Sequence, residues 1–375
     1  MNRPLVGHFR KTWLGRTETF IHEIVSHHVR YEPVVFCEGT ENLDEFPAKT
    51  IEQIEFPRKL AGFIDANLRI RFNRTPILNR RYRRAARKHN LAILHGHFGW
   101  GGIAALPVAL RRGLPLATTF YGVDLTARAS YARLFKGGSL FLVEGPRMEK
   151  ALAAIGAPAG KIEIQPIAIS ADKFPFRARR PGADGKIKAL MVGRFVEKKG
   201  LPDGIRAFAR ARREVPDMEL DVIGDGPLRG EIERAIEEEN LGGAARLHGF
   251  VSRDEYREIS DGAHIMLVPS RTAADGDTEG GAPTVLLEMQ AAGLPVVATR
   301  HADIPFVVRE GESALLANEG DADGLAAALA EVASHPERWD RMGRAGRAHV
   351  EAQHDVAGAI TELEARYDRL WENPA

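Results

Sequence analysis

The sequence predicts an α/β protein built from two doubly wound, Rossmann-like domains facing across a cleft. Three observations predict it. Short continuous apolar runs alternate with amphipathic stretches, as in parallel sheets covered by helices on both faces. The runs are too many for one sheet. A segment rich in Pro, Gly and Arg, FPFRARRPGADGK (174–186), divides them into two series and reads as an interdomain linker.

The strand candidates, in order, are PVVFC (33–37), LAILHGH (91–97), LPLATTFYG (114–122), KIEIQPIAI (161–169), IKALMVGRF (187–195), MELDVIGDG (218–226), ARLHGF (245–250), HIMLVPS (264–270) and LPVVAT (294–299). Helical patterns such as LPDGIRAFARARREVP and PLRGEIERAIEEEN lie between them. The expected organisation is one Rossmann-like domain over 1–170, a second over 171–355, and a carboxyl-terminal helix over 356–375. In such sheets ligands bind beyond the carboxyl ends of the strands, which points to the cleft.

Composition sets bounds. The chain has 375 residues, 44% hydrophobic and 27% charged, with a formal net charge of +1. That balance gives no global field for nucleic acid or membrane, so any basic surface is local. Cys37 stands alone, which excludes an internal disulfide and fits a reducing cytoplasm. The start, MNRPLVGHFRKTWLG, lacks the apolar core of a signal peptide, and no run reaches a membrane-spanning length. One local cluster stands out. Residues 57–88 carry eleven Lys/Arg and a single acid, Asp65, interleaved with apolar side chains. This reads as a solvated helix face or as a surface for anionic lipid. No nucleic-acid recognition module accompanies it.

Two stretches carry chemistry. GRFVEKKG (193–200) lies at the carboxyl end of a strand, so Arg194 and Lys199 suit a diphosphate: a guanidinium fork and a mobile ammonium. EGGAPTVLLE (279–288) turns into a helix at Pro283. Gly280 and Gly281 let a ligand approach the backbone, and the helix start offers unpaired amides to an anion. Glu288, roughly 7–8 Å along that helix, suits a vicinal diol, and Glu279 suits a sugar hydroxyl. The strip reads as diol acceptor, phosphate cradle and sugar acceptor, which fits a nucleotide sugar.

GRFVEKKG, VIGDGPLRGEIE, LHGFVSRDEY, LVPS and EGGAPTVLLEMQAAGLPVVAT, in this order, resemble the family-four retaining glycosyltransferases of the GT-B fold. The nearest flavour is the bacterial exopolysaccharide enzymes of the colanic-acid type. The resemblance is strong over about 190–320. It is looser through RTETFIHEI, LHGHFGWGG and TFYGVDLT in the amino-terminal half. It implies that Arg194 and Lys199 hold the donor diphosphate and that Glu288 binds the ribose. Glu279, Gly280, Gly281 and Ala282 would meet the transferred sugar and its phosphate, and Phe250 and Val251 would border the base. Gly15 and Thr17 fall in the first strand-loop-helix, whose loop would face the donor phosphate and the acceptor. The resemblance also implies that the first domain is the acceptor side, the second binds the donor, and the last helix crosses back to the first. The resemblance further implies a UDP- or GDP-type nucleotide-sugar co-substrate, no other cofactor, and a saccharide or polyprenyl-linked acceptor. It implies hexosyl transfer with retention and without metal, in the cytoplasm or at the inner membrane face.

Two departures matter. The family usually spaces its glutamates with seven residues between them, and here there are eight: either Glu279 still reaches the sugar across a wider turn, or Gly280 takes its aligned place and the nearby Asp275 and Asp277 contribute. Many relatives carry a histidine where this chain has Tyr121. Tyrosine, with a reference pKa of about 10, is a poor base near neutrality, so Tyr121 is read as a positioning group beside Asp124. His97 is a further acceptor-side candidate.

Metal readings are set aside. DGD (275–277) lies in a polar loop, not at a strand end. His95 and His97 could suggest zinc, but no third ligand is expected nearby; one is expected to face the cleft and the other the core. GDGPLRG (224–230) imitates a dinucleotide fingerprint but suits an ordinary helix start. Two other functions stay open: a non-catalytic nucleotide-sugar-binding subunit, motivated by Tyr121 and the wider turn, and a nucleotide-sugar epimerase.

Overall fold

The computed structural model describes residues 3–15, 18–55, 76–126 and 130–372. The chain divides into two compact units, Met1–Ala168 with Val356–Ala375, and Ile169–Asp355. Each is an α/β sandwich around a parallel sheet.

Unit 1 contains strands β1 (Leu5–Phe9), β2 (Thr12–Trp13), β3 (Glu32–Cys37), β4 (Gly39–Thr40), β5 (Ile51–Gln53), β6 (Leu91–His97), β7 (Leu116–Thr119), β8 (Leu140–Val143) and β9 (Ile162–Ile164). The main sheet has the order β5-β3-β1-β6-β7-β8-β9, and β2 pairs with β4 alone. From β1 the chain moves outward one way. It then returns to β6 and moves the other way, so the strand order reverses between β1 and β6. Alternation sends neighbouring side chains to opposite faces. Val6, Ile93, Ala117 and Leu142 meet the helix Val356–Glu372 through Val356, Ile360, Leu363 and Tyr367. Phe9, Phe36, Leu94 and Phe141 pack with the helix Phe98–Arg112 through Ala105, Leu106 and Ala109.

Unit 2 contains β10 (Ile187–Val192), β11 (Met218–Ile223), β12 (Ala245–Gly249), β13 (Ile265–Val268), β14 (Val296–Thr299) and β15 (Ala314–Ala317). Their order, β12-β11-β10-β13-β14-β15, is that of a dinucleotide-binding sheet, with the reversal between β10 and β13. The helix Leu201–Glu214 shows how sequence builds this layer. Gly200 turns in the left-handed region, Pro202 occupies the first turn, Asp203 meets the positive end and Arg212 and Arg213 the negative end. Its inner face buries Leu201, Ile205 and Phe208 in the core that also holds Trp339.

Each of the nine expected strands is present: β6 spans 91–97 as expected, β3 begins one residue earlier at Glu32, and the other seven are trimmed at their ends. Among the described residues, the six strands that the list of apolar runs omits are β1, β2, β4, β5, β8 and β15, the longest of them only five residues. Too few residues alternate or run apolar in them to stand out against neighbouring loops.

The segment 174–186 is docked, not a free linker. Arg179 is buried, and its guanidinium donates to the carbonyls of Asp261 (2.7 Å), Ala292 (2.8 Å), Ala263 (3.0 Å) and Ser260 (3.3 Å). These carbonyls end the helices Arg253–Gly262 and Thr284–Ala291, where a cation is favoured. Arg177 adds an ion pair to Asp261 at 2.9 Å. Arg179→Ala strands four carbonyls and is expected to destabilise unit 2 by about 3 kcal/mol. Calorimetry should show a lowered transition for Arg179→Ala and none for the exposed Arg180→Ala.

Candidate active site

In unit 2 the loops that follow β10 and β13 meet at the reversal of strand order. After β10 the chain makes a single 3₁₀ turn, Glu197–Lys199, closed by Gly200 at φ 61°. A Cβ at Gly200 would lie 1.9 Å from the carbonyl oxygen of Pro269, so only glycine lets this loop sit against the one after β13. The approach sets Lys199 against Glu279. Lys199 Nζ donates to Glu279 at 2.9 Å, and Ser270 Oγ donates to the same carboxylate at 2.7 Å. Burial pushes the Glu279 carboxyl upward, but the Lys199 charge and these hydrogen bonds outweigh it and hold the group below the ordinary glutamate range.

A second tier fixes the Glu279 loop. The Glu279 amide donates to His301 Nε2 at 3.1 Å, which leaves the His301 proton on Nδ1, donating to Glu319 at 2.8 Å. Thr272 N–H donates to the other Glu319 oxygen at 2.5 Å. Thr299 donates to the Ser270 carbonyl. Lys198, which sequence reasoning passed over, is buried and joins Asp277 (3.0 Å) and the Thr278 carbonyl (2.9 Å). Asp277 is thereby engaged by an ammonium, and Asp275 accepts from the Asp277 amide.

The sequence expectations fare unevenly. Lys199 and Glu279 are brought together, so Lys199 already has a partner. Arg194 is exposed and makes no ion pair among the described residues. Gly280 does not offer an open amide: its N–H donates to Thr278 Oγ1 at 3.0 Å, with φ at 77°. Gly281 and Ala282 are buried before Pro283, which caps rather than begins the helix Thr284–Ala291. In that helix's first turn the Leu286 amide donates to the Pro283 carbonyl at 3.0 Å, which leaves the Thr284 and Val285 amides without an intrahelical acceptor. Glu288 lies on this helix and accepts from the Tyr256 hydroxyl at 2.5 Å, a partner that nothing in the local sequence announces. Phe250 is 79% exposed after β12, and Val251 is partly buried beside it.

In unit 1, Gly15 accepts from the Glu18 amide at 3.0 Å, and a Cβ there would meet only the Glu18 carboxyl at 4.0 Å. Thr17 lies outside the described residues. Asp124 is not open to an acceptor. Its oxygens accept from the Gly99 amide (3.0 Å), the Tyr121 amide (3.0 Å) and the Tyr131 hydroxyl (3.2 Å). Burial still carries its carboxyl up to about 6. Tyr121 is buried against Phe20 and Phe98, and burial holds its phenol protonated well above the ordinary range.

The largest correction concerns histidines. His95 and His97 do not split between cleft and core. Residues two apart share a strand face, and both are fully buried with stacked rings 4.5 Å apart. A third imidazole is present: His8, paired with His95 across β1 and β6. Ligand nitrogens of His8, His95 and His97 lie within 4.8 Å of one another. They are satisfied without an ion. His8 Nδ1 and His97 Nε2 share a hydrogen bond of 2.9 Å, His8 Nε2 meets His28 Nε2 at 3.0 Å, and His95 joins Thr119 (2.7 Å) and Tyr367.

Comparison with known proteins fits this architecture. Residues 172–349 match the family described as glycosyl transferases group 1, and residues 17–173 match glycosyltransferase family 4. The amylovoran biosynthesis glycosyltransferase AmsK of Erwinia amylovora is 35% identical over 73% of this chain and 69% of its own length. The chain belongs to this glycosyltransferase family. A putative colanic acid biosynthesis glycosyltransferase, WcaL of Salmonella typhimurium, is 33% identical over 64% of this chain and 61% of its own. Among solved structures, Anabaena HepE in complex with UDP and glucose matches with a TM-score of 0.77 at 15% identity, covering 98% of this chain and 100% of that one. The two Rossmann-like sheets of this glycosyltransferase are thus the GT-B fold, as its sequence motifs implied.

The histidines make the glycosyltransferase acid-sensitive. Burial pushes His8, His28, His95 and His97 below the ordinary imidazole range, His95 to about 3. The unfolded chain takes up these protons below about pH 6.5, while the fold resists them. Stability is therefore full above pH 6.5 and falls as pH drops toward 3, by up to about 1.4 kcal/mol per pH unit for each histidine. Urea unfolding of unit 1 should shift to a markedly lower midpoint between pH 7.5 and 5. An unchanged midpoint contradicts neutral burial.

Proposed function

We propose that the enzyme moves a hexosyl group from a nucleotide-diphosphate donor of UDP or GDP type to a hydroxyl of a saccharide or lipid-linked acceptor, with retention at the anomeric carbon. The observation that carries this reading is the Lys199–Glu279–Ser270 constellation at the switch point of unit 2, with Arg194 exposed beside it. A diphosphate entering there competes for Lys199 and draws in Arg194, while the first-turn amides of the helix Thr284–Ala291 face its charge. Glu279, relieved of Lys199, accepts a hydroxyl of the transferred sugar. Glu288, steadied by Tyr256, accepts the ribose diol. Phe250 and Val251 border the base. In unit 1, Tyr121 serves as a hydroxyl-binding group at the carboxyl end of β7.

As the bond from the anomeric carbon to the phosphate oxygen breaks, negative charge grows on the diphosphate, and Lys199, Arg194 and the amides stabilise it. The acceptor oxygen bonds to the same face of the carbon, and its proton passes to the departing phosphate. These protein cations do the work that a metal does elsewhere, so the reaction proceeds without one. Asp277 is held by Lys198, which suits it to loop structure rather than to a cation.

Relatives named for amylovoran and colanic acid biosynthesis support a place in bacterial exopolysaccharide assembly. No helix among the described residues is long and apolar enough to cross a membrane. Residues 57–75 of the basic cluster over 57–88 lie outside the described residues; the helix Pro76–Ala86 and the turn after it expose Arg80, Arg84, Arg87 and Lys88, a basic face suited to anionic lipid at the inner membrane face.

A thermal-shift panel of UDP, GDP, ADP, CMP and their sugar conjugates tests the donor site. One diphosphate series should stabilise the wild type, and an Arg194→Ala/Lys199→Ala variant should lose the shift. No shift for any nucleotide moves the reading to another ligand. Product analysis then separates transfer, which needs an acceptor, from epimerisation, which does not, and from a binding subunit that turns nothing over.

A further inference from the structure

A buried row of hydrogen-bonding groups crosses unit 1: Glu364, His28, His8, His97 and Tyr121. Its links are 3.0 Å from Glu364 Oε1 to His28 Nδ1, 3.0 Å from His28 Nε2 to His8 Nε2, 2.9 Å from His8 Nδ1 to His97 Nε2, and 3.3 Å from His97 Nδ1 to the Tyr121 hydroxyl. Every member is buried. The row begins beneath the helix Val356–Glu372, crosses the sheet where its strand order reverses, and ends just past β7.

The direction of each link follows from chemistry. Glu364 accepts from His28, from the Val29 and Arg30 amides and from the Arg30 side chain. Burial opposes its charge, but these donors prevail and bring the carboxyl down to about 2, so it never donates near neutrality. His28 Nδ1 therefore carries a hydrogen. A neutral imidazole has one donor and one acceptor, so His28 Nε2 must accept. His8 then donates from Nε2 and accepts at Nδ1. His97 donates from Nε2 and accepts at Nδ1, and among the described residues the donor left for that nitrogen is the Tyr121 hydroxyl at 3.3 Å.

We propose that this row is a polarised hydrogen-bond wire that turns the Tyr121 hydroxyl hydrogen inward, so that the tyrosine meets substrate only as an acceptor. The chemical consequence is selectivity. The group bound at Tyr121 is a hydrogen-bond donor, a sugar or acceptor hydroxyl, and a ligand offering only an acceptor there is refused. His97, His8, His28 and Glu364 are positioning residues that act through Tyr121. The idea rests on the reading that Tyr121 belongs to the transfer site. The opposite polarity is equally well defined. One extra proton on His28 would reverse every link, with His8 and His97 donating from Nδ1 and Tyr121 accepting from within.

Long-range proton–nitrogen correlation spectra of the full chain, labelled with ¹⁵N-histidine at pH 7.5, distinguish these states. The expected pattern is Nε2–H at His8 and His97 and Nδ1–H at His28, assigned with single substitutions. Nδ1–H at His8 and His97 with a doubly protonated His28 overturns the proposal. So does loss of these signals to stoichiometric zinc, added alone, because the same nitrogens would then be metal ligands.

Turnover gives the second arm. Tyr121→Phe should lower kcat about tenfold or more with little change in donor KM. His97→Gln, which keeps a donor toward His8 but offers no acceptor to Tyr121, should match that loss. Combined with Tyr121→Phe it should add nothing further. His97→Asn, whose amide oxygen stands near the Nδ1 position, should retain more activity than His97→Gln. Losses that multiply in the double variant overturn the proposal. An unchanged kcat in Tyr121→Phe also overturns it, while leaving the donor site around Lys199 and Arg194 untouched.

Discussion

Unit 2 depends on one ion pair, Lys199 with Glu279, held at 2.9 Å with little exposure of either side chain. The partners are 80 residues apart in sequence and meet because Gly200 lets two strand-end loops touch. Each charge would be costly to leave alone there, by several kcal/mol. The pair therefore fixes both loops before any ligand arrives, and it keeps Glu279 ionised in a site where burial favours the acid. In the proposed reaction a diphosphate takes over the role of Glu279 as counter-charge to Lys199.

Unit 1 is organised by a different constraint. Its sheet buries imidazoles where most parallel sheets bury aliphatics, and their hydrogen-bonding needs are met in sequence from ring to ring. The helix Val356–Glu372 closes the row, with Glu364 at one end and Tyr367 against His95. Apolar contacts through Ile360 and Leu363 hold this helix on the sheet, and Arg366 adds ion pairs to Glu163. Polar order in the sheet and packing of the last helix are consequently one structural fact.

Much of this was legible in the sequence because it is local. Continuous apolar runs marked nine strands, and the Pro283 turn marked the start of the helix Thr284–Ala291. The family motifs placed Arg194, Lys199, Glu279 and Glu288 on strand-end loops and a helix. What stayed hidden depends on long-range partners. Tyr256 reaches Glu288 from a neighbouring helix, His301 reaches the Glu279 amide from the end of β14, and Arg179 gathers carbonyls from two helix ends. The histidine row needed the pairing of β1 with β6, which no spacing within LAILHGH reveals. The period-two rule would have placed His95 and His97 on one face. Gly280 and Asp124 show the converse error: residues whose types suit a ligand are engaged by the protein itself.

The central claim is that Glu279 holds Lys199 in readiness and then serves the transferred sugar. Donor affinity and transfer rate measured together for Glu279→Gln test it most directly. The account predicts a nucleoside diphosphate bound at least as tightly as by wild type, because Lys199 is released, with transfer slowed about 100-fold. Transfer at the wild-type rate, with unchanged diphosphate affinity, would contradict it.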